Sequence, residues 1–387
     1  MYIILGPMQT EKTIAIIGGG PGGLTLARVL ATRGIRSTIF ELDDHPNARN
    51  QGGSLDLHEH SGQHALREAG LHDEFTKLAR YDDQYDALYD HGGKLHVELT
   101  DPGSSDRPEI DRLQLRDLLL ESVSPASIVW NSKVSAIEPL PNGCHRVMSS
   151  TGPLGDFDLV VGADGAWSKV RPLVSREKPS YTGVLFVELT IDDIDRQHPA
   201  LAAIIPRGKV SIVGKSKAII AQRSSNGHVR VYLMFRVADD WFAQRGLDTA
   251  PLDGTRAALK AELAGWAPQF LAFIDACNDA IVPRPIVALP VGHRWAHRRG
   301  VTLLGDAAHV MPPFSGEGVN MAMLDATELA LALANDADWS KAIATYEARM
   351  FARAAEAAAG AMAGCDFVSD DALEHTLAHF REITAAT

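Results

Sequence analysis

Thr13-Ile14-Ala15-Ile16-Ile17-Gly18-Gly19-Gly20-Pro21-Gly22-Gly23 is an apolar run that passes straight into a glycine turn. An amphipathic stretch, Leu24 to Arg33, follows at once, and a second run, Arg36 to Phe40, ends on Glu41. The order is strand, glycine turn, helix, strand, acid. Its well-understood physical use is to hold the diphosphate of a dinucleotide against a helix N-terminus. Gly18 permits the tight turn out of the strand, Gly20 lets the backbone approach the phosphates, and Gly23 lets the helix pack close to the strand. The free N–H groups and positive dipole end of the helix favour the anion. Glu41 stands 18 residues beyond Gly23, near the roughly 20 expected of the acid that accepts the ribose hydroxyls. A carboxylate there repels a ribose 2′-phosphate, so the expected nucleotide is FAD or NAD(H).

The 387 residues are enough for about two domains with a real core. Hydrophobic content of 45% and charged content of 22% fit a soluble globular chain. A net charge of −12 argues against nucleic acid as a partner. Three widely spaced cysteines, Cys144, Cys277 and Cys365, form neither a disulfide framework nor a metal cluster, and a reducing cytoplasm is the expected setting. No apolar run suits a membrane span. Met1 to Lys12 read as a short extension rather than a signal peptide, with Met8 an alternative start.

Further along, Ser61 to Ala69 reads as a helix, Tyr85 to Leu99 as paired strands around Gly92-Gly93, and Leu113 to Ser122 as a helix. Ser127 to Ile137 reads as a strand and its continuation. Asp158 to Gly165 is a buried strand ending in an Asp-Gly turn. From Tyr181 to Val237 strands dominate in a pattern suited to a mostly antiparallel sheet. Val301 to Leu304 is a short buried strand ending on Gly305-Asp306, where ligands of open α/β sheets bind. Pro312 to Asn320 is a stiff turn, then glycines, then a helix start, and the C-terminal third is helical.

Ile14 to Glu41, Gly52 to Leu71, Glu109 to Leu120, Asp158 to Arg171 and Val301 to Asp325 together carry a resemblance. The chain is similar to the group A flavoprotein monooxygenases of para-hydroxybenzoate hydroxylase type, and within them most resembles the Tet(X) tetracycline-inactivating monooxygenases. The resemblance implies a discontinuous Rossmann-like FAD-binding domain (10–80, 100–178 and 281–335), an inserted mostly antiparallel substrate domain (81–99 and 179–280), and C-terminal bracing helices (336–387). It implies that NADPH reduces FAD, that O2 adds at flavin C4a, and that the hydroperoxide delivers one oxygen to a tetracycline or similar polycyclic aromatic. An aromatic hydroxylase of polyketide tailoring or catabolism is the alternative, and a ligand-sequestering or redox-sensing flavoprotein the non-enzymatic one. A monomer is expected.

By the same resemblance Asp306 meets the ribityl chain, and Arg112, Asp164 and Asp56 contact FAD. Arg49 lies where NADPH is met. The loop with Pro313, Gly316, Gly318 and Asn320 lies beside the flavin ring, and its backbone N–H groups suit charge developing there on reduction. The family usually has Gln where Glu317 stands, so this carboxylate is expected to point outward. Arg116 is expected on a solvated helix face, and His309 as a hydrogen-bonded structural residue. Glu188, Lys209 or Val210, and Arg230 fall where the tetracycline enzymes hold a polar trio. Phe186, Phe235, Phe314 and Met321 are candidates for an apolar wall or plain core.

Overall fold

The structure is a computed structural model and describes residues 12–48, 52–82, 85–100, 107–278 and 280–386. Arg49, Met8 and most of the N-terminal extension lie outside these described residues. The glycine-turn strand, β1 (Ile14–Ile17), is wholly buried. It pairs in parallel with β2 (Thr38–Phe40) on one side and with β11 (Leu159–Gly162) on the other. β7 (Ile128–Val129) and β17 (Val301–Leu303) complete a five-stranded parallel sheet of order β17-β11-β1-β2-β7. Continuous apolar strands suit a sheet covered on both faces. Helices α1 (Pro21–Thr32), α4 (Glu317–Asn335) and α5 (Trp339–Ala363) contribute Leu26, Leu30, Leu329 and Tyr346 to its core.

Residues 127–137 do not form one continued strand. Asn131, at φ 53°, breaks the chain after β7. The next strand, β8 (Val134–Pro139), joins β9 (His145–Ser149) and β10 (Gly152–Phe157) in a separate antiparallel sheet.

A seven-stranded sheet has the order β16-β12-β15-β14-β13-β4-β5. Its strands are β4 (Asp86–Asp90), β5 (Leu95–Leu99), β12 (Ser180–Ile191), β13 (Lys209–Gly214), β14 (Lys217–Arg223), β15 (Val229–Arg236) and β16 (Val282–Ala288). All pairs are antiparallel except β13 with β4. Period-2 alternation divides its faces. Leu185, Val187, Leu189, Leu233 and Phe235 point into one apolar core, under the helices Leu252–Glu262 and Pro268–Asp275. Val184, Phe186 and Met234 point to the other face, covered by Cys365 and Val368 and by Ala372 and Phe380 of α6 (Ala372–Ala386). The molecule is α/β, with a parallel nucleotide-type sheet and a larger, mostly antiparallel one.

Candidate active site

Three strand-end turns meet at the carboxyl edge of the parallel sheet. At the first, Gly18 has φ +107°, and a Cβ there would lie 2.3 Å from the carbonyl oxygen of Ala163. A Cβ on Gly23 would lie 2.0 Å from Gly18 O, so helix and turn touch as backbone on backbone. A Cβ on Gly20 would meet nothing within 4 Å. α1 starts there with Pro21, no side-chain cap and no acid in its first turn. Its leading N–H groups therefore face an accessible, positively polarised recess. Glu41 is buried and accepts from Gly19 N at 2.5 Å and from Asp43 N at 3.0 Å, which steadies the turn.

The second and third turns are tied together by Arg171. Its guanidinium donates to Ala307 O at 3.0 Å and to Ala166 O at 2.9 Å. Asp164 Oδ2 accepts from Lys169 N at 2.6 Å, while its buried Oδ1 has no partner. Gly305 adopts φ +57° to leave β17. Asp325, fully buried on α4, holds that turn by accepting from Gly305 N at 3.0 Å, His309 Nε2 at 2.6 Å and Arg353 at 2.8 Å. His309 is thus a hydrogen-bonded structural residue. Asp306 projects from this turn and remains accessible. Protein packed around its carboxyl raises its pKa, while the charges of His309, Arg112 and Arg171 oppose the shift.

Arg112 begins α3 (Arg112–Glu121), and its N–H donates to Gly53 O at 2.8 Å. Its side chain is accessible, and its charge acts on both Asp306 and Tyr232. Arg112 therefore stands between the cofactor turns and the seven-stranded sheet. Arg116, expected in solvent, is 1% exposed, donates to Pro46 O and faces Asp43 at 3.9 Å. It is a buried brace for the loop after Glu41, a role the helical pattern alone could not reveal.

The loop Pro312 to Gly318 caps α4. Gly316, at φ +69°, packs against Asp56, and a Cβ on Gly318 would meet nothing within 4 Å. The Asn320 side chain is fully buried and engaged: Oδ1 accepts from His58 N, Gly62 N and Ser61 Oγ, and Nδ2 donates to Asp56 O and Gly316 O. This amide joins the loop to β3 (Ser54–Asp56) and to α2 (Gly62–Glu68), so it shapes the site rather than presenting itself to a ligand. Glu317 is partly exposed and paired within the protein. Its Oε1 lies 3.4 Å from His58 Nδ1, and Asp56 Oδ2 lies 3.1 Å from His58 Nε2. Burial opposes charge on His58, yet hydrogen bonds and charges from the two carboxylates push it up to about 9. At neutral pH the extra acid of this loop is therefore matched by an imidazolium.

The seven-stranded sheet faces these turns with an aromatic patch and a polar row. Phe314 meets Phe186 edge-on at 5.7 Å, Phe186 meets Tyr232 at 5.6 Å, and Phe367 lies 6.3 Å from Phe314. Phe235 and Met321 are core residues instead, Phe235 on the opposite face. Beside Phe186, Glu188 Oε1 pairs with Arg230 at 2.8 Å, and Glu188 Oε2 accepts from Arg284 Nε at 2.5 Å. Cross-strand register extends the row as Thr190, Arg230, Gln222, Lys209 and Asp86. Lys209 lies 3.1 Å from Asp86, its side chain is 49% exposed, and the charges of Asp56 and Glu109 act on it from the facing layer. Val210 is core. Glu109, on β6 (Glu109–Asp111) which pairs with β3, faces the same row. Burial pushes it up to about 7, with the charge of Asp56 adding to the shift. Sequence reading missed Arg284, Asp86 and Glu109, because only strand register reveals their neighbours.

An uncapped helix start, a steadied glycine turn and an accessible acid at a third strand end define a dinucleotide-binding α/β protein of the flavoprotein kind. The chain belongs to the FAD binding domain family, whose profile matches residues 11–250 and 287–361. Monooxygenase penA of Penicillium thymicola is 32% identical over 367 residues, covering 83% of this chain and 84% of that protein. Klebsiella pneumoniae HpxO, solved with FAD and uric acid, superposes with a TM-score of 0.81 at 22% identity, covering 97% of this chain and 94% of its own. Tetracycline destructase Tet(51) gives a TM-score of 0.71 at 19% identity, covering 97% and 98%. The likeness to the tetracycline enzymes is therefore one of fold. The protein is a flavin-dependent monooxygenase that binds FAD.

Proposed function

We propose that the enzyme consumes NAD(P)H and inserts one oxygen atom of O2 into a ring-fused aromatic substrate. The observation that carries this reading is the facing of the three tied turns by one aromatic and charged patch, Phe186, Phe314, Tyr232, Glu188 and Arg230. In this reading Gly18, Gly20, Gly23 and the α1 N-terminus receive the diphosphate, and Glu41 receives the adenosine ribose. Asp306 takes the ribityl hydroxyls, and Arg112 steadies the diphosphate or ribityl region. Bound FAD supplies the oxygen-activating chemistry. The chain's own residues position it and exclude water. The N–H groups of Gly316 and Gly318 at the start of α4 would stabilise negative charge on the bound cofactor. Asp56, Asp164 and Arg49 complete the cofactor and NADPH contacts.

The tetracycline reading rests on fold likeness, and the polar group here is Glu188–Arg230–Arg284 rather than the family trio. A ring-fused aromatic suits the Phe186–Phe314 wall. The test is oxidation of NADPH and NADH by the purified yellow protein with tetracyclines, bicyclic aromatics and simple phenols, followed by product mass. Gain of one oxygen atom with a ring-fused aromatic is expected. Reduced-nicotinamide oxidation that no aromatic accelerates would overturn the proposal. Asp306→Ala should weaken FAD binding by roughly 10- to 100-fold, measured by fluorescence titration.

A further inference from the structure

Arg284 lies on the edge strand β16, directly opposite Phe186 in register. Only its Nε is engaged, by Glu188 at 2.5 Å, and its two terminal nitrogens make no hydrogen bond to a described residue. The side chain is 55% exposed, whereas that of Glu188 is 10% exposed. A buried carboxylate thus aims a guanidinium whose free fork remains available.

Glu188 also holds Arg230 at 2.8 Å, and Arg230 has a 10% exposed side chain. Two cations therefore share one anion. The cluster keeps one uncompensated positive charge beside an aromatic wall. A buried carboxylate needs only one arginine for neutrality, so the second is surplus to holding the sheet together. A planar fork of two N–H-bearing nitrogens, held in place through Nε, matches a carboxylate or the paired oxygens of an acidic enol. The orienting bond also limits the rotamer freedom lost on binding.

We infer that Arg284, aimed by Glu188, is the anion-binding group of the substrate cleft, and that the aromatic substrate carries a carboxylate, phenolate or enolate. Arg230 completes the pair electrically through Nη1 on Glu188, its own Nε buried without a partner among the described residues and its side chain only 10% exposed, so it offers no accessible fork. This assignment rests on the aromatic-substrate reading above and narrows it to anionic members.

The test is calorimetric binding to the FAD-loaded enzyme of matched pairs with one, two and three rings, each an aromatic acid and its carboxamide. Acids should bind roughly tenfold or more tighter than amides, the range for a charge-assisted hydrogen bond at a half-exposed site. Arg284→Gln should erase the preference, and Arg284→Lys should retain part of it. Both variants lie at an exposed edge position, and their folding is checked by retained flavin absorbance. In turnover the Gln variant should raise KM for the acid with little change in kcat. Equal binding of acid and amide to the unaltered enzyme, or a preference that survives in Arg284→Gln, overturns the assignment while leaving the aromatic reading in place. Binding of neither partner of any pair overturns both.

Discussion

Asn320 satisfies five polar groups from a site with no solvent exposure. Replacing it by Ala leaves buried N–H and C=O groups unpaired in β3, α2 and the Gly316 loop. Asn320→Ala should cost about 3 kcal/mol in urea unfolding. Nearby, two titrations act on stability in the same direction. His58 is raised from 6.5 to about 9. Its stabilising charge is complete below pH 6.5 and is lost as the pH climbs through 9. Glu109 is raised from 4.5 to about 7, so the native state binds its proton more tightly and stability falls from pH 4.5 to 7. Glu109→Gln should remove the lower limb of that decline and stabilise the protein at pH 8 by up to roughly 3 kcal/mol. His58→Gln should flatten the upper limb. Denaturation midpoints across the pH range separate the two.

At the scale of elements, the parts built from local pattern were readable and the parts built from pairing were not. Gly18 to Gly23, Gly305-Asp306 and Pro312 to Asn320 announce themselves because each turn needs its residue types at fixed short spacing. Arg116 could not be placed, because its burial depends on a loop seventy residues away in sequence. Lys209 and Asp86 meet through register across β13 and β4, where one residue of slip would send each to the opposite face, and Glu109 reaches the same row from the separate β3–β6 sheet. Arg284 is revealed in the same way, opposite Phe186. Backbone contact decides two further outcomes. Gly23→Ala must drive a methyl into Gly18 O and should abolish FAD retention, seen as loss of yellow colour. Gly364 ends α5 against Phe314, with only 2.4 Å between an added Cβ and the Phe314 Cβ. Gly364→Ala should displace that ring and weaken binding of aromatics far more than binding of FAD.

Over the whole molecule, the C-terminal helices join the two sheets. α5 packs on α4 beside the parallel sheet, whereas α6 covers the apolar face of the larger sheet. Arg236 fastens the turn between them by donating to Cys365 O and Val368 O, each at 2.6 Å. Removal of residues from Asp370 onward should bare Val184, Met234 and their neighbours and cause aggregation, measured by light scattering. Among the described residues no helix is long and apolar enough to cross a membrane.

The strand order of the parallel sheet has a consequence for biogenesis. β1 and its neighbour-but-one, β17, are made almost three hundred residues apart. The seven-stranded sheet has all its strands by Ala288, but its Val184–Met234 face stays bare until Cys365, Val368 and α6 follow. The third strand-end turn forms only when β17, Asp306 and α4 arrive, so a chain halted before Val301 lacks one edge of the parallel sheet and also the C-terminal residues that cover the larger one.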